Sequence, residues 1–433
     1  AARVGAMGGP QHGPEFSVAE ERMLEGTWPM DLIRDPTKQP RVVTDPGEFL
    51  RELLIGEHLN DCVVLPGGVD LLDMRLDQTF PDDVRQCFES SDTVASFLTS
   101  LRSQPNCAAY KLRLMYLDHN KRRQKEVTGS VISPQIRKDT IVEKIDACLE
   151  DLNAQRFDAN LLYVTELRHQ NTLRHPLSGE KVKTIVRKDI KDELGNWAKW
   201  TSYWDRFDEG IFVGGRFSGK ALHVDQVLWS NVGKNWAGNK LVALWPPGQP
   251  SIDVLDDLQN SLFTPPLTRQ EANALRSAST IAFVRPGDVF FFSGGVSHTV
   301  LSVSPELSLT GYESFCTLNP RQLDFFLSTG DDRIQHYDFG MPEDEFEDLK
   351  DDLMDAFEDM VDEDRQAHPT EGGTREPGWW RRGYKDPQLL DTLRRFYSQG
   401  LRRILQDAYI RKNAASSVLE VGGGAKRAKC GDS

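Results

Sequence analysis

Ile211-Phe212-Val213-Gly214-Gly215-Arg216-Phe217-Ser218-Gly219-Lys220-Ala221-Leu222-His223-Val224-Asp225 is the stretch on which the fold of this chain turns. An apolar run, Ile211 to Val213, breaks at two glycines, and a second run, Leu222 to Val227, follows, which predicts two strand segments. Side chains at i and i+2 of a strand leave by the same face, so His223 and Asp225 can grip one ion from one side. His298, between two further strand-like segments, can supply a third ligand from elsewhere in the chain.

Two imidazoles and one carboxylate leave neighbouring coordination positions open, a donor set that suits non-haem Fe(II). The triplet alone is weak. With nine His and 66 acidic residues in 433, chance supplies ~1.4 His-x-Asp/Glu triplets. A second one, His336-Tyr337-Asp338, lies in a polar stretch and is followed by a single His, His368, in a Pro/Gly/Thr-rich loop, so it is read as coincidence. The plain alternative for His223 and Asp225 is an ordinary hydrogen-bonded pair.

Outward from this stretch, residues 156 to 320 consist of short β-rich runs separated by Gly, Pro and Asn, the texture of a sandwich or barrel. Strands are predicted at Leu161 to Val164, Ile211 to Val213, Leu222 to Val227, Leu241 to Trp245, Thr280 to Val284, Val289 to Phe292, His298 to Val303 and Leu307 to Tyr312. Pro246-Pro247-Gly248, Arg285-Pro286-Gly287-Asp288 and Ser293-Gly294-Gly295 supply turn residues between them. Before this core, residues 26 to 155 mix helix and strand: Phe49 to Leu54 and Val94 to Leu101 have helical spacing, and Cys62 to Leu65 reads as a strand. Residues 1 to 25 read as a loose, disordered tail.

Residues 321 to 412 are expected to form a C-terminal helical extension. Phe346, Leu349, Leu353, Phe357 and Met360 make one apolar stripe on an otherwise anionic helix, and Leu390, Leu393, Tyr397, Leu401, Ile404, Leu405 and Ala408 make another. Between Glu343 and Asp364 there are 13 acidic residues against Lys350, a balance of −12, while the whole chain carries −14. The acidity therefore belongs to one segment, which could lie against the basic stretch Arg375 to Lys412 or join a homodimer. Residues 413 to 433 are expected to be disordered.

A composition 39% hydrophobic and 27% charged is that of a soluble globular protein. No apolar stretch reaches the length of a membrane span and no basic-then-apolar leader is present, so an intracellular site, cytoplasmic or nuclear, is expected. Six scattered cysteines without a C-x-x-C or a Cys/His cluster argue for reduced thiols. Lys121-Arg122-Arg123-Gln124-Lys125 could meet nucleic-acid phosphates, but no aromatic residue within the run is available to stack bases, so nucleic acid is a weak partner candidate.

The stretch Phe212 to Asp225 resembles the approach to the core of the jumonji C (JmjC) oxygenases, within the cupin superfamily. Three further features agree in order. Lys240 opens Lys240-Leu241-Val242-Ala243-Leu244-Trp245 ahead of Pro246, like the lysine strand of that family. Arg285 to His298 resembles its approach to the second metal histidine. Thr310 matches a hydroxyl position that touches the cosubstrate in part of the family. The resemblance covers roughly residues 205 to 318. It implies an α+β protein built on a double-stranded β-helix (jelly-roll/cupin), with Fe(II) held by His223, Asp225 and His298 as catalytic centre. It further implies 2-oxoglutarate contacted by Lys240, Thr310 and Asn231, with Asn235 as the alternative to Asn231, and a protein side chain as substrate of hydroxylation or N-demethylation. Lys220 departs from the pattern, standing where the most similar members carry a hydroxyl residue. Trp229, Trp236 and Trp245 are either cleft residues or core packing, the latter being commoner for large aromatics.

Overall fold

The computed structural model describes residues 14–55, 61–76, 81–118, 122–127, 140–170, 210–225 and 229–316. The expected helices over 343–364 and 387–411, the tail 413–433 and the triplet at His336 lie outside these residues. Five strands come first in the chain: β1 (Arg41–Val42), β2 (Val63–Leu65), β3 (Tyr110–Asp118), β4 (Arg123–Glu126) and β5 (Tyr163–His169). Eight follow: β6 (Gly210–Gly214), β7 (Gly219–His223), β8 (Trp229–Ala237), β9 (Lys240–Leu244), β10 (Thr280–Val284), β11 (Val289–Ser293), β12 (His298–Ser302) and β13 (Ser308–Cys316). They form a nine-stranded sheet of order β1-β2-β11-β8-β13-β6-β5-β3-β4 and a four-stranded sheet of order β10-β9-β12-β7.

From β6 onward the chain alternates between the sheets at every step except β9 to β10, which pair with each other in the small sheet. β6, β8, β11 and β13 belong to the large one, and β7, β9, β10 and β12 to the small one. Mixed helix and strand with large antiparallel sheets fits a jelly-roll or cupin-like fold. β1 and β2 are parallel, whereas the pairings of the other described strands are antiparallel.

Strands β9 and β10 of the small sheet read as nearly continuous apolar runs because both of its faces are covered. Leu241, Ala243, Ile281, Phe283 and Leu301 point outward and pack on Leu24, Trp28, Leu32 and Ile33 from the N-terminal segment, and on Val254, Leu255 and Leu275 from the helices Gln249–Leu258 and Arg269–Ser277. Val242, Leu244, Ala282, Val284 and Val300 point inward and meet Phe290 and Phe292 of β11, with Cys62 and Val64. The interior between the sheets is thus apolar toward β10 and β11. Its polar residues lie along β7, β8, β12 and β13 and at Lys240, the start of β9.

Three differences from the sequence reading have physical causes. The tail expected to run loose to residue 25 is helical over Val18–Leu24, because Ser17 and Glu20 form a reciprocal capping box and Leu24 is fully buried. The division expected at residue 155 falls inside one sheet, since β3 and β4 continue it beyond β5. Finally, Trp229–Ala237, whose Gly233 to Gly238 segment looks like an insertion, is a nine-residue strand. Gly233 is present because a side chain there would meet the Phe290 ring at 2.4 Å.

Among the described residues, no helix is long and apolar enough to cross a membrane. Cys62, Cys87, Cys107 and Cys148 are buried free thiols.

Candidate metal centre

Neighbouring strands of the small sheet place two histidines face to face. His223, the last residue of β7, pairs with His298, the first of β12, and His298 pairs in turn with Leu244 of β9. Their ring centroids are 4.2 Å apart. Strand β7 stops at His223, so Asp225 arrives from just beyond the strand rather than from its next same-face position. The turn before β12 sets its place: Gly295, in the left-handed region, donates its N–H to the Asp225 carbonyl at 2.9 Å.

The carboxylate lies between the rings. Asp225 Oδ1 is 3.4 Å from His223 Nε2 and Oδ2 is 3.4 Å from His298 Nε2. One ligand atom from each of the three residues lies within 4.8 Å of the others. Metal–ligand bonds of about 2.1 Å put adjacent ligands about 3 Å apart, so these spacings suit one ion with small adjustments.

Tautomers follow from the neighbours. Nδ1 of His223 faces the Ala221 carbonyl at 2.8 Å and Nδ1 of His298 faces the Val296 carbonyl at 3.0 Å. A carbonyl only accepts, so each Nδ1 carries the proton and each neutral ring keeps its Nε2 lone pair for a metal. Burial, helped by the nearby His223, pushes His298 down to about 3, so its ring is neutral across the physiological range. Burial acts to raise the Asp225 carboxyl, but His223, His298 and Lys220 outweigh it and hold the group below the usual carboxylate range. An ionised Asp225 carboxylate beside a neutral His298 ring suits ligation of a cation.

Lys240 begins β9 opposite Ser302, in register with Val242 and Leu244, so its side chain enters the same interior face as His298. It is four positions along β9 from Leu244, the partner of His298, about 13 Å along the strand. Lys240 is fully buried, and its Nζ has no hydrogen-bond partner among the described residues; the centroid of the Tyr163 ring lies 6.0 Å from it. Burial pushes the amine down to about 7. A buried ammonium without a partner is the group expected of a pocket for an anion.

Thr310 and Asn235 lie opposite each other on β13 and β8, and the Thr310 hydroxyl donates to Asn235 Oδ1 at 2.8 Å. Asn231 lies at the histidine–aspartate cluster. Its Nδ2 donates to Asp225 Oδ2 at 2.7 Å, and its Oδ1 accepts from the Ser314 hydroxyl at 2.7 Å, so its amide serves the carboxylate of the histidine cluster.

Lys220 pairs with Val300 through the β7–β12 irregularity, and burial lowers its amine against the pull of Glu166 and Asp225. Tyr312, two residues along β13 from Thr310, has a buried hydroxyl without a hydrogen-bond partner among the described residues. Ser314 and Tyr312 were legible in principle, since the period of two running from Thr310 reaches both. Trp245 and Trp236 are packing residues: their indole N–H groups donate to the carbonyls of Ala274 and Met74.

No family model matches the sequence, and no curated protein matches it. Among solved structures, it is similar to the X-ray structure of YcfD from Escherichia coli, at 13% identity over 86% of this chain and 72% of that one, with a TM-score of 0.33. It is also similar to YcfD, a ribosomal oxygenase from Escherichia coli, in complex with cobalt and 2-oxoglutarate, at 12% identity over 83% and 67% of the two chains, with a TM-score of 0.32.

Proposed function

We propose that the protein is an Fe(II)- and 2-oxoglutarate-dependent dioxygenase that hydroxylates, or by the same C–H chemistry N-demethylates, a macromolecular substrate, most directly a protein side chain. The alternation of β6 to β13 between two sheets supports a double-stranded β-helix as the scaffold. One observation carries the reading: two imidazoles and a carboxylate, their ligand atoms within 4.8 Å of one another, share an interior face with a buried lysine amine that has no hydrogen-bond partner among the described residues. A zinc hydrolase could use the same three ligands but has no use for Lys240. A non-catalytic binding module needs neither.

In this reading His223, Asp225 and His298 hold the iron, and Lys240 neutralises the far carboxylate of 2-oxoglutarate. The Thr310–Asn235 pair adds neutral polar surface to the same interior. Iron and its cosubstrate would supply dioxygen activation coupled to decarboxylation to succinate and carbon dioxide, with oxygen inserted into a substrate C–H bond. The protein contributes placement and exclusion of water.

An RNA-directed hydroxylase is the alternative, but the described members of the basic run are already engaged. Arg122 binds Glu271 and the Thr264 carbonyl, Arg123 the Gln259 carbonyl, and Lys125 the Asp118 carboxylate. That favours a protein substrate. The test is uncoupled turnover: with Fe(II), ascorbate and 2-oxoglutarate the protein forms succinate, and His223→Ala abolishes it. Metal bound without any succinate, with candidate peptides present or absent, overturns the reading.

A further inference from the structure

We propose that Asn231 and Ser314 are positioning residues that choose which oxygen of Asp225 meets the metal. The inference rests on the metal-centre reading above and extends it to residues that bind no metal themselves. Ser314 and Asn231 are directly opposed on β13 and β8, inside the large sheet, whereas Asp225 follows the end of β7 in the small sheet. The hydrogen-bonded line Ser314 Oγ–H to Asn231 Oδ1, and Asn231 Nδ2–H to Asp225 Oδ2, therefore crosses from one sheet to the other, with both steps at 2.7 Å.

Direction matters here. An Asn amide can be turned end for end, and a hydroxyl could also accept from its NH2 group. A carboxylate, however, only accepts, so the amide end facing Asp225 must be the donor; its oxygen then faces Ser314, whose hydroxyl donates. Strand pairing on both sides of β8 fixes the Asn231 backbone, with Phe292 opposite it on β11. Asp225 has no such ladder, since β7 has ended. Its backbone is held by Gly295 and its carboxylate by Asn231.

Occupying Oδ2 leaves Oδ1, beside His223, as the oxygen free to bind an ion. A single-oxygen carboxylate ligand uses one coordination position instead of two, keeping the remaining positions open for a chelating cosubstrate and a small molecule. Without Asn231 the carboxylate could rotate or bind through both oxygens.

Cobalt(II) is the probe, because its visible absorption reports both affinity and coordination number in the absence of turnover. Asn231→Ala is expected to weaken Co(II) binding about 10- to 100-fold, the range for loss of a partner behind a metal ligand, and to alter the Co(II) spectrum. Ser314→Ala should show a smaller loss of the same kind, and Ser314→Thr, which keeps the hydroxyl, should restore both. A purely structural bond between the sheets would instead lower the unfolding midpoint of the metal-free protein while leaving affinity and spectrum unchanged; that outcome overturns the proposal. Should Asn231→Ala fail to fold, the Ser314 pair decides alone. Wild-type protein that binds no Co(II) defeats the metal-centre reading itself, a result distinct from equal binding by wild type and variants.

Discussion

A lysine amine buried without a partner costs free energy whenever it is charged, because the fold withholds the water that would solvate it. Lys240 is in that state, and its amine titrates near 7 instead of at the ordinary 10.5. The charged form is thus disfavoured in the folded protein, so the penalty is fully present below about pH 7 and fades as pH rises from 7 toward 10.5. Lys240→Met is accordingly expected to raise the stability of the ligand-free protein by roughly 1–3 kcal/mol below pH 7, and by less above it, as read from urea midpoints at several pH values. The same substitution should abolish 2-oxoglutarate binding. A wild-type protein no less stable than the variant would show that the ammonium is already solvated or paired.

Binding has the opposite linkage. A carboxylate beside Lys240 favours the ammonium, so above about pH 7 the complex must take up a proton, and affinity should fall by up to about tenfold per pH unit. Below pH 7 this group adds no slope. Calorimetry in buffers of different ionisation enthalpy reads the proton uptake directly; its absence at pH 8 would place the cosubstrate away from Lys240.

Elements, more than single residues, decided how much could be read in advance. The strands with long apolar runs, β9 to β11, were legible to within a residue or two, because two covered faces leave little polar alternation to interpret. Strand β8 was not. Its Asn, Gly and Lys residues look like loop, yet Gly233 makes room for the Phe290 ring and Asn231 and Asn235 are satisfied by partners from other elements. One partner, Asp225, follows the end of β7 and the others lie on β13, and no local rule announces them. Strand β7, expected at Leu222 to Val227, instead begins at Gly219 and ends at His223; beyond it Asp225 is held by Gly295, far away in sequence. The bond from Asn231 to Asp225 was hidden by the same non-local geometry. Gly219 gives this level its own prediction. A side chain there would stand 1.9 Å from the Val300 carbonyl oxygen, so Gly219→Ala must force β7 and β12 apart. Those strands carry His223 and His298. We expect a loss of roughly 1–3 kcal/mol or more in stability, together with weakened Co(II) binding, measured by urea unfolding and metal titration.

At the scale of the molecule, the small sheet separates two kinds of burial. Its inner face carries the histidines, and its outer face is covered by the N-terminal segment, where Trp28 donates its indole N–H to the Phe263 carbonyl at 2.9 Å and packs edge-on to the Phe263 ring. Phe263 in turn contacts Trp245, at the end of β9. Removing Trp28 therefore strips the back of the sheet without touching the metal ligands. Trp28→Ala should cost about 3–5 kcal/mol, the ordinary consequence of emptying a large buried aromatic site, yet leave Co(II) affinity unchanged under conditions where the variant is folded. Phe292→Ala is the inner-face counterpart. Its ring centroid lies 4.5 Å from that of His298, so losing it should lower stability and metal affinity together as the imidazole gains room to move. Urea unfolding paired with Co(II) titration separates the two. If Trp28→Ala weakens the metal as much as Phe292→Ala does, the sheet is transmitting strain from back to front, and the two faces cannot be treated as independent layers.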